Sequence, residues 1–184
     1  MHSIFPILTT NRFKLIQITE NHLSDLFELF GDTNVVKFYN LKPFENESDG
    51  VRLVNLYTHR FNENLGIRWG IAYKNSENVI GTIGFNSYIK NHRATIGFDL
   101  QTKYWNQGII TEVLAKIIDF GFNELEINRI EAEVMQGNCS SEKVLAKSNF
   151  QKEGVLREWM FWNNTYFDLT MFSLLKKDLE QINK

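Results

Sequence analysis

Hydrophobic and polar positions change period several times along the chain, and each change predicts an element. Residues 12–18, RFKLIQI, put Phe13 and Leu15 on one side of an extended segment and Ile16 and Ile18 on the other. That short apolar run predicts a strand buried on both faces. Thr19 then precedes Leu23, Leu26, Phe27 and Phe30, the spacing of an amphipathic helix capped by Thr19 and ended at Gly31. Between Glu45 and Glu63 a mostly polar run carries Val51, Val54, Leu56 and Phe61, a second helix of looser period. From Trp69 to Leu100 three strand-like runs, WGIAY, VIGTIGFNSYI and ATIGFDL, are separated by the polar turns KNSEN and KNHR, which predicts an antiparallel meander.

The strongest helical signal follows, TEVLAKIIDFGFNEL, with Leu114, Ile117, Ile118, Gly121 and Leu125 on one face. A strand RIEAEV, a short helix SSEKVLAKS and two aromatic-rich strands, GVLREWMFW and YFDLTMFSLL, complete the pattern. Asn163 and Asn164 join the last pair, and Asn accepts the positive φ that a tight hairpin needs. The order β-α-α-β-β-β-α-β-α-β-β implies an α/β (α+β) mixed sheet flanked by helices.

Composition narrows the functions open to this fold. With 184 residues, 43% hydrophobic and no low-complexity linker, the chain reads as one domain spanning 1–184. A chain of this size hides roughly 70% of its extended surface on folding. Twenty basic against 22 acidic residues leave a net charge of -2, so no long-range field attracts nucleic acid or an anionic membrane. Cys139 is the one cysteine, which excludes an internal disulfide and a thiolate zinc cage and fits a reducing, cytoplasmic setting. His2, His22, His59 and His92 are scattered without ligand spacing, so no metal is expected. The start, MHSIFPILTTNRF, lacks the pattern of an export signal, and no run reaches the ~20 apolar residues of a membrane span.

The first chemical signal is the junction from Phe98 to Thr111, where a strand ends, a turn containing Gly108 follows and the long helix opens. The first four amides of a helix lack intrahelical partners and lie at the positive end of its dipole, a ready anion site where a glycine lets phosphate approach. Equally, Gly108 could serve only a tight turn. The second signal is Asn138-Cys139-Ser140-Ser141 followed by Lys143-Val144-Leu145-Ala146-Lys147-Ser148-Asn149-Phe150, in which Asn138 and Ser140 also suit helix caps.

Those two blocks, with Thr10-Asn11-Arg12-Phe13 near the start and Tyr166-Phe167-Asp168-Leu169 near the end, resemble the GNAT superfamily of acetyl-CoA-dependent N-acetyltransferases. The branch resembled is RimJ/RimL, the ribosomal-protein N-terminal acetyltransferases, and the resemblance runs in order along nearly the whole chain. It implies a GNAT-like acyl-CoA N-acyltransferase fold. The family's pyrophosphate loop falls on Trp105 to Ile110, which implies a cofactor site of Asn106, Gln107, Gly108, Ile109, Ile110 and Thr111. Ile110 stands where the family has a small residue; because the phosphate contacts come from backbone N–H groups, its side chain is tolerated if directed elsewhere and crowds the cofactor if not. The resemblance likewise implies that Asn138 contacts the pantetheine arm, that Ser141 lies near the thioester sulfur, and that a bulged central strand pairs with pantetheine through Phe98, Asp99 and Leu100. Asn149-Phe150 replaces the usual Gly-Phe and keeps its left-handed helix end.

Acetylating an amine needs a neutral nucleophile and a proton for the departing thiolate. An α-amine of pKa near 8 is roughly a tenth neutral at pH 7 and a lysine only about 0.04%, a gap of ~200-fold. A site without a strong base therefore favours an N-terminal amine. The position of the superfamily's tyrosine acid is Leu145 here, which leaves Ser141 as proton donor to sulfur. A glutamate of some relatives aligns with Met160; Glu158, two residues earlier, shares that face by pleat alternation and is the substitute base, unless it only pairs with a surface cation. Asp168 matches the family's closing Asp, to bind the substrate amine or to anchor the terminal hairpin. Cys139 sits beside the proposed thioester position, but direct transfer in a ternary complex is preferred to an acetyl-cysteine route.

The aromatics Trp159, Phe161, Trp162, Tyr166 and Phe172 read mostly as hairpin packing, with some free to line a peptide groove or a homodimer face. Two other functions compete with α-amine transfer. One is acetylation of a polyamine, aminoglycoside or amino acid, polycations requiring an acidic pocket built from Glu45, Glu47, Asp49 and Asp168. The other is a CoA-binding module with little catalysis, suggested by Ile110, Leu145 and Met160.

Overall fold

Short turns between successive apolar segments favour antiparallel neighbours, whereas a helical crossover permits a parallel pair. The computed structural model, which describes residues 4–182, shows both. Its strands are β1 (Leu8–Thr9), β2 (Phe13–Gln17), β3 (Ile67–Tyr73), β4 (Gly81–Ile89), β5 (Arg93–Leu100), β6 (Arg129–Met135), β7 (Gln151–Trp162) and β8 (Thr165–Leu175). They form one sheet in the order β1-β2-β3-β4-β5-β6-β8-β7. The helices are α1 (Leu23–Gly31), α2 (Thr33–Val36), α3 (Glu47–Asn62), α4 (Ile109–Asn123), α5 (Cys139–Lys147) and α6 (Lys176–Ile182).

The meander β3-β4-β5 is antiparallel as its turns predict, and α4 is the crossover that sets β6 parallel to β5. That parallel pairing lasts only from Arg93↔Arg129 to Thr95↔Glu131. Beyond it β5 stays with β4 as far as Leu100↔Gly81, while β6 stays with β8 as far as Met135↔Leu169. The sheet thus splits into two halves that part like a V. At the closed end Arg93 Nη1 reaches Glu131 Oε2 at 3.1 Å, Arg129 Nε donates to Glu131 Oε1 at 2.6 Å, and the Arg129 fork grips Glu153 at 2.6 and 2.7 Å.

The main core lies between the sheet and α4, whose buried face runs Ile109, Ile110, Val113, Leu114, Ile117, Ile118 and Phe122. A second core of Ile18, Leu26, Leu29, Phe30, Val36, Phe44 and Val54 holds α1 and α3 together. Phe13 and Leu15 on one face of β2 and Ile16 on the other are all buried, as that segment predicts.

Thr19 caps a turn of 3-10 helix, Glu20–His22, rather than α1 itself, its N–H donating to His22 Nδ1 at 3.0 Å. Asn163 and Asn164 have φ of 50° and 58°, the left-handed pair of a tight hairpin. Leu125 falls beyond the end of α4. The short elements β1, α2 and α6 exceed the expected pattern, because two to seven residues carry too few periods to announce themselves. His2 lies outside the described residues.

Candidate active site

The split between β5 and β6 opens into a cavity of about 250 Å³. One wall is β5 from Thr95, its last residue paired with β6, along the free edge Ile96 to Phe98, and the other is Ala132 to Met135 of β6. The segment after α2, Phe38 to Asn40, covers one side, and Asn138, Ser141 and Leu145 of the α5 region close another, with Met160 and Leu169 from the terminal hairpin. Backbone that leaves a ladder keeps donors and acceptors to offer an extended ligand. Of the three residues expected to pair with pantetheine, Phe98 lines this cavity and Asp99 and Leu100 do not. The Asp99 side chain is buried against Arg68, and the Leu100 carbonyl accepts the Trp105 indole N–H at 2.7 Å.

Gly108 caps α4 in the left-handed region, φ 70°, after Asn106 at φ 60°. A side chain at Gly108 would be strained there, and the space where its Cβ would project is open, its nearest neighbour the Arg12 guanidinium at 4.0 Å. The first helical hydrogen bond of α4 is Glu112 N–H to Gly108 O, so the amides of Ile109, Ile110 and Thr111 are left for another acceptor. Ile109 and Ile110 themselves are buried in the core, so Ile110 points away from that opening. Arg12 braces the turn: it donates to the Gln107 carbonyl at 3.2 and 3.3 Å and pairs with Glu112 at 2.6 Å. Burial pushes the Glu112 carboxyl up, but the Thr10 hydroxyl and the Arg12 amide and guanidinium together hold it below its ordinary range. A carboxylate in the first turn also suits the helix dipole. This cradle of free amides beside a cation fits a diphosphate. Nothing in the sequence pattern pointed to the part Arg12 plays in it.

Asn138 caps α5, its Oδ1 accepting the Ser141 N–H at 3.2 Å, and both residues face the cavity. At the other end Asn149 is left-handed, φ 65°, and Phe150 N–H returns to Leu145 O at 3.0 Å, the helix end its sequence predicts. Cys139 is a free, exposed thiol.

The expectation for Glu158 is corrected, and for Asp168 the geometry favours the hairpin-anchoring alternative. Pleat alternation does not carry Glu158 to the face of Met160, because β7 bulges between them. Leu156 pairs with Leu169 and Met160 with Phe167, so residues 157–159 face Asp168 alone, and Glu158 has φ 51°. Met160 lines the cavity and Glu158 does not. Asp168 is the latch of that bulge: its Oδ1 accepts the Glu158 N–H at 2.7 Å, and it too stands off the cavity wall. The carboxylate that does line the cavity, the only one among the described residues, is Glu133. The residue is exposed to solvent. Partial burial of its carboxyl and the nearby Glu131 raise its pKa, with the Trp159 indole and Arg93 opposing.

Behind the β5 wall lies a buried polar group. Arg68, 4% exposed, ion-pairs with Asp99, donates to the Thr82 hydroxyl oxygen at 3.0 Å and to Asn86 Oδ1 at 3.0 Å. Burial pushes the Asp99 carboxyl up, and the Arg68 guanidinium it faces opposes that rise. Asp99 and burial together raise the Tyr39 hydroxyl, so Tyr39 is a neutral phenol at the cavity. Gly97 makes room for this group, since a Cβ there would sit 2.8 Å from Asn86 Nδ2 and 2.9 Å from Arg68 Nη1. Among the described residues no cluster of three or more His, Cys, Asp or Glu could hold a metal ion, and no helix is long and apolar enough to cross a membrane.

Comparison with known proteins puts this geometry in a family. Residues 12–151 match the family model described as an acetyltransferase (GNAT) domain. The N-acetyltransferase YoaA of Bacillus subtilis (strain 168) is 37% identical over 174 residues, 94% of this chain and 98% of its own. In fold the chain is similar to the Microcin C7 self immunity acetyltransferase MccE, solved with acetyl-CoA and AMP, at a TM-score of 0.82 and 22% identity over 90% of this chain and 93% of that one. It is similar also to an acetyl transferase of Salmonella typhimurium that modifies the N-terminal serine of ribosomal subunit protein L7/L12, at a TM-score of 0.83 and 19% identity over 92% and 99% of the two chains.

Proposed function

The chain belongs to the GNAT family of acetyl-CoA-dependent N-acetyltransferases, and from that premise we propose that its acceptor is the N-terminal α-amine of a protein or peptide, acetylated by direct transfer in a ternary complex. The observation that carries this reading is the charge of the cavity. A polycationic acceptor needs several carboxylates, and the four acidic residues expected to supply them are elsewhere. Asp168 latches the bulge, and Asp49 accepts the Glu45 and Asn46 amides at 2.9 and 3.2 Å as the cap of α3. Glu45 and Glu47 are absent from the wall. One carboxylate among neutral and aromatic groups suits one ammonium.

The roles follow the geometry. The amides of Ile109 to Thr111 and the turn of Asn106, Gln107 and Gly108 hold the diphosphate. The free edge of β5 from Ile96 to Phe98 pairs with the pantetheine arm. Asn138 and Ser141 meet its thioester end, where the Ser141 hydroxyl gives a proton to the departing sulfur. The relative that acts on a ribosomal-protein N-terminus supports the acceptor class.

A thiol-release assay with acetyl-CoA against free-N-terminus peptides, the same peptides blocked at the N-terminus, polyamines and aminoglycosides tests the reading. Turnover is expected with free peptides and not with blocked ones. Faster turnover of polyamines overturns the acceptor class, and tight CoA binding without turnover of any amine favours the binding module. In the same assay Ser141→Ala is expected to lower kcat more than it weakens CoA binding. An equal loss in both, or in neither, removes Ser141 as proton donor.

A further inference from the structure

We propose that Asn86 is the residue that recognises the acceptor as a peptide. Its side-chain amide donates to the carbonyl of the acceptor's first residue, a group that stands beside every peptide α-amine and that a polyamine lacks. The assignment rests on the acetyl-transfer reading above and names the hydrogen bond that selects the acceptor class.

Orientation is the first argument. An Asn side chain has an accepting end and a donating end, and its partners decide which faces where. Here the partner is Arg68, whose Nη1 lies 3.0 Å from Asn86 Oδ1. A guanidinium only donates, so the oxygen faces Arg68 and Nδ2 is the end left over. Arg68 is itself fixed by Asp99 and by the Thr82 hydroxyl oxygen at 3.0 Å. Both members of that ion pair are buried, so turning the amide over would set two donors against each other beside a buried charge.

Place is the second. Asn86 is the extra residue of a bulge in β4, since Phe85 pairs with Ile96 and Ser87 with Thr95. Thr95 is also the last residue of β5 paired with β6, so the bulge stands where the sheet parts, and Asn86 lines the cavity with Tyr39 and Gly97. Gly97 leaves Nδ2 its room, because a Cβ there would sit 2.8 Å from it. The neighbouring Phe85 turns the other way: its ring would meet a Cβ on Gly121 of α4 at 2.7 Å. Asn86 therefore serves the face of the sheet away from α4, and α4 is the helix whose first amides suit the cofactor diphosphate. An acceptor has to reach the thioester from the side that the cofactor leaves free.

Availability is the third. Among the described residues no group accepts a hydrogen bond from Nδ2, and Asn86 is half-buried. A donor taken partly out of water without a partner is unfavourable, and one beside a guanidinium repels an ammonium and attracts a carbonyl oxygen.

The test compares two acceptors in the full chain with acetyl-CoA: a free-N-terminus peptide, and the same peptide with a trans-alkene in place of its first amide. Asn86→Asp keeps an oxygen for Arg68 and removes the N–H, and Asn86→Ala removes the N–H without adding charge. In both variants the ratio of kcat/KM for the peptide to kcat/KM for the alkene analogue is expected to fall about tenfold below the wild-type ratio, through KM of the peptide. Taking a ratio cancels the difference in amine pKa between the two acceptors. CoA affinity by calorimetry should not change in either variant, and Asn86→Asp should keep the wild-type thermal midpoint. A ratio within about twofold of wild type in either variant overturns the assignment, because a donor to the thioester carbonyl, or a residue that only supports the wall, costs both acceptors alike. That outcome leaves the acceptor class standing. A wild type that binds CoA yet acetylates polyamines and no peptide overturns the underlying reading and this one with it.

Discussion

Glu158 shows what one residue's backbone can do to a functional assignment. Its left-handed φ of 51° costs of order 1 kcal/mol in a residue with a Cβ, and the Asp168 carboxylate offsets that cost by accepting its N–H at 2.7 Å. The latch explains why an acidic side chain at 168 is useful without touching an acceptor. Asp168→Asn keeps an accepting oxygen and is expected to retain both stability and activity, whereas Asp168→Ala leaves the amide unlatched and should lower unfolding stability by ~0.5–1.5 kcal/mol. Chemical denaturation and the peptide assay on the two variants check this. If Asp168→Asn abolishes turnover at unchanged stability, the carboxylate binds substrate after all.

Among elements, the junction of β5 and β6 is the hinge of the whole site, because three residue pairs must hold a strand pair that is pulled apart immediately beyond them. The ionic group there, Arg93, Glu131, Arg129 and Glu153 with the Ser173 hydroxyl, reinforces the seam from four strands. The Arg129 fork and the Ser173 hydroxyl hold the Glu153 carboxyl down at about 2. A carboxyl whose folded pKa lies below its unfolded value of about 4.3 gives stability that is complete above that value and disappears as pH falls toward the folded one. Thermal midpoints followed from pH 6 to pH 2 should therefore drop for the wild type between about pH 4.5 and 2, and Glu153→Gln should start lower and drop less. Parallel pH curves for the two proteins would show that the pair contributes nothing to the seam.

On the scale of the molecule, a ligand lying in the split touches both halves of the sheet and so binds the folded state alone. CoA at 100 times its Kd should add ~2.7 kcal/mol and raise the thermal midpoint by several degrees, about 2–4 °C per kcal/mol for a domain of this size. Scanning fluorimetry with and without CoA measures it, and an unchanged midpoint at saturation contradicts the cleft as the cofactor site. The sequence by itself determined whatever depends on neighbours along the chain: the meander, the long helix, the cap at Asn138, the left-handed Asn149 and the turn at Gly108. These are short-range matters of dihedral preference, hydrogen-bond satisfaction and apolar period, so the residues announce them. Tertiary structure alone decided which acidic residue lines the cavity. Alternation favoured Glu158, but the bulge that turns it away exists only because β8 pairs across it, and Glu133 reaches the cavity only because β5 and β6 part company after Thr95. The same holds for Arg12 against the Gln107 carbonyl and for Arg68 against Asp99, contacts between residues 95 and 31 positions apart that no local pattern encodes.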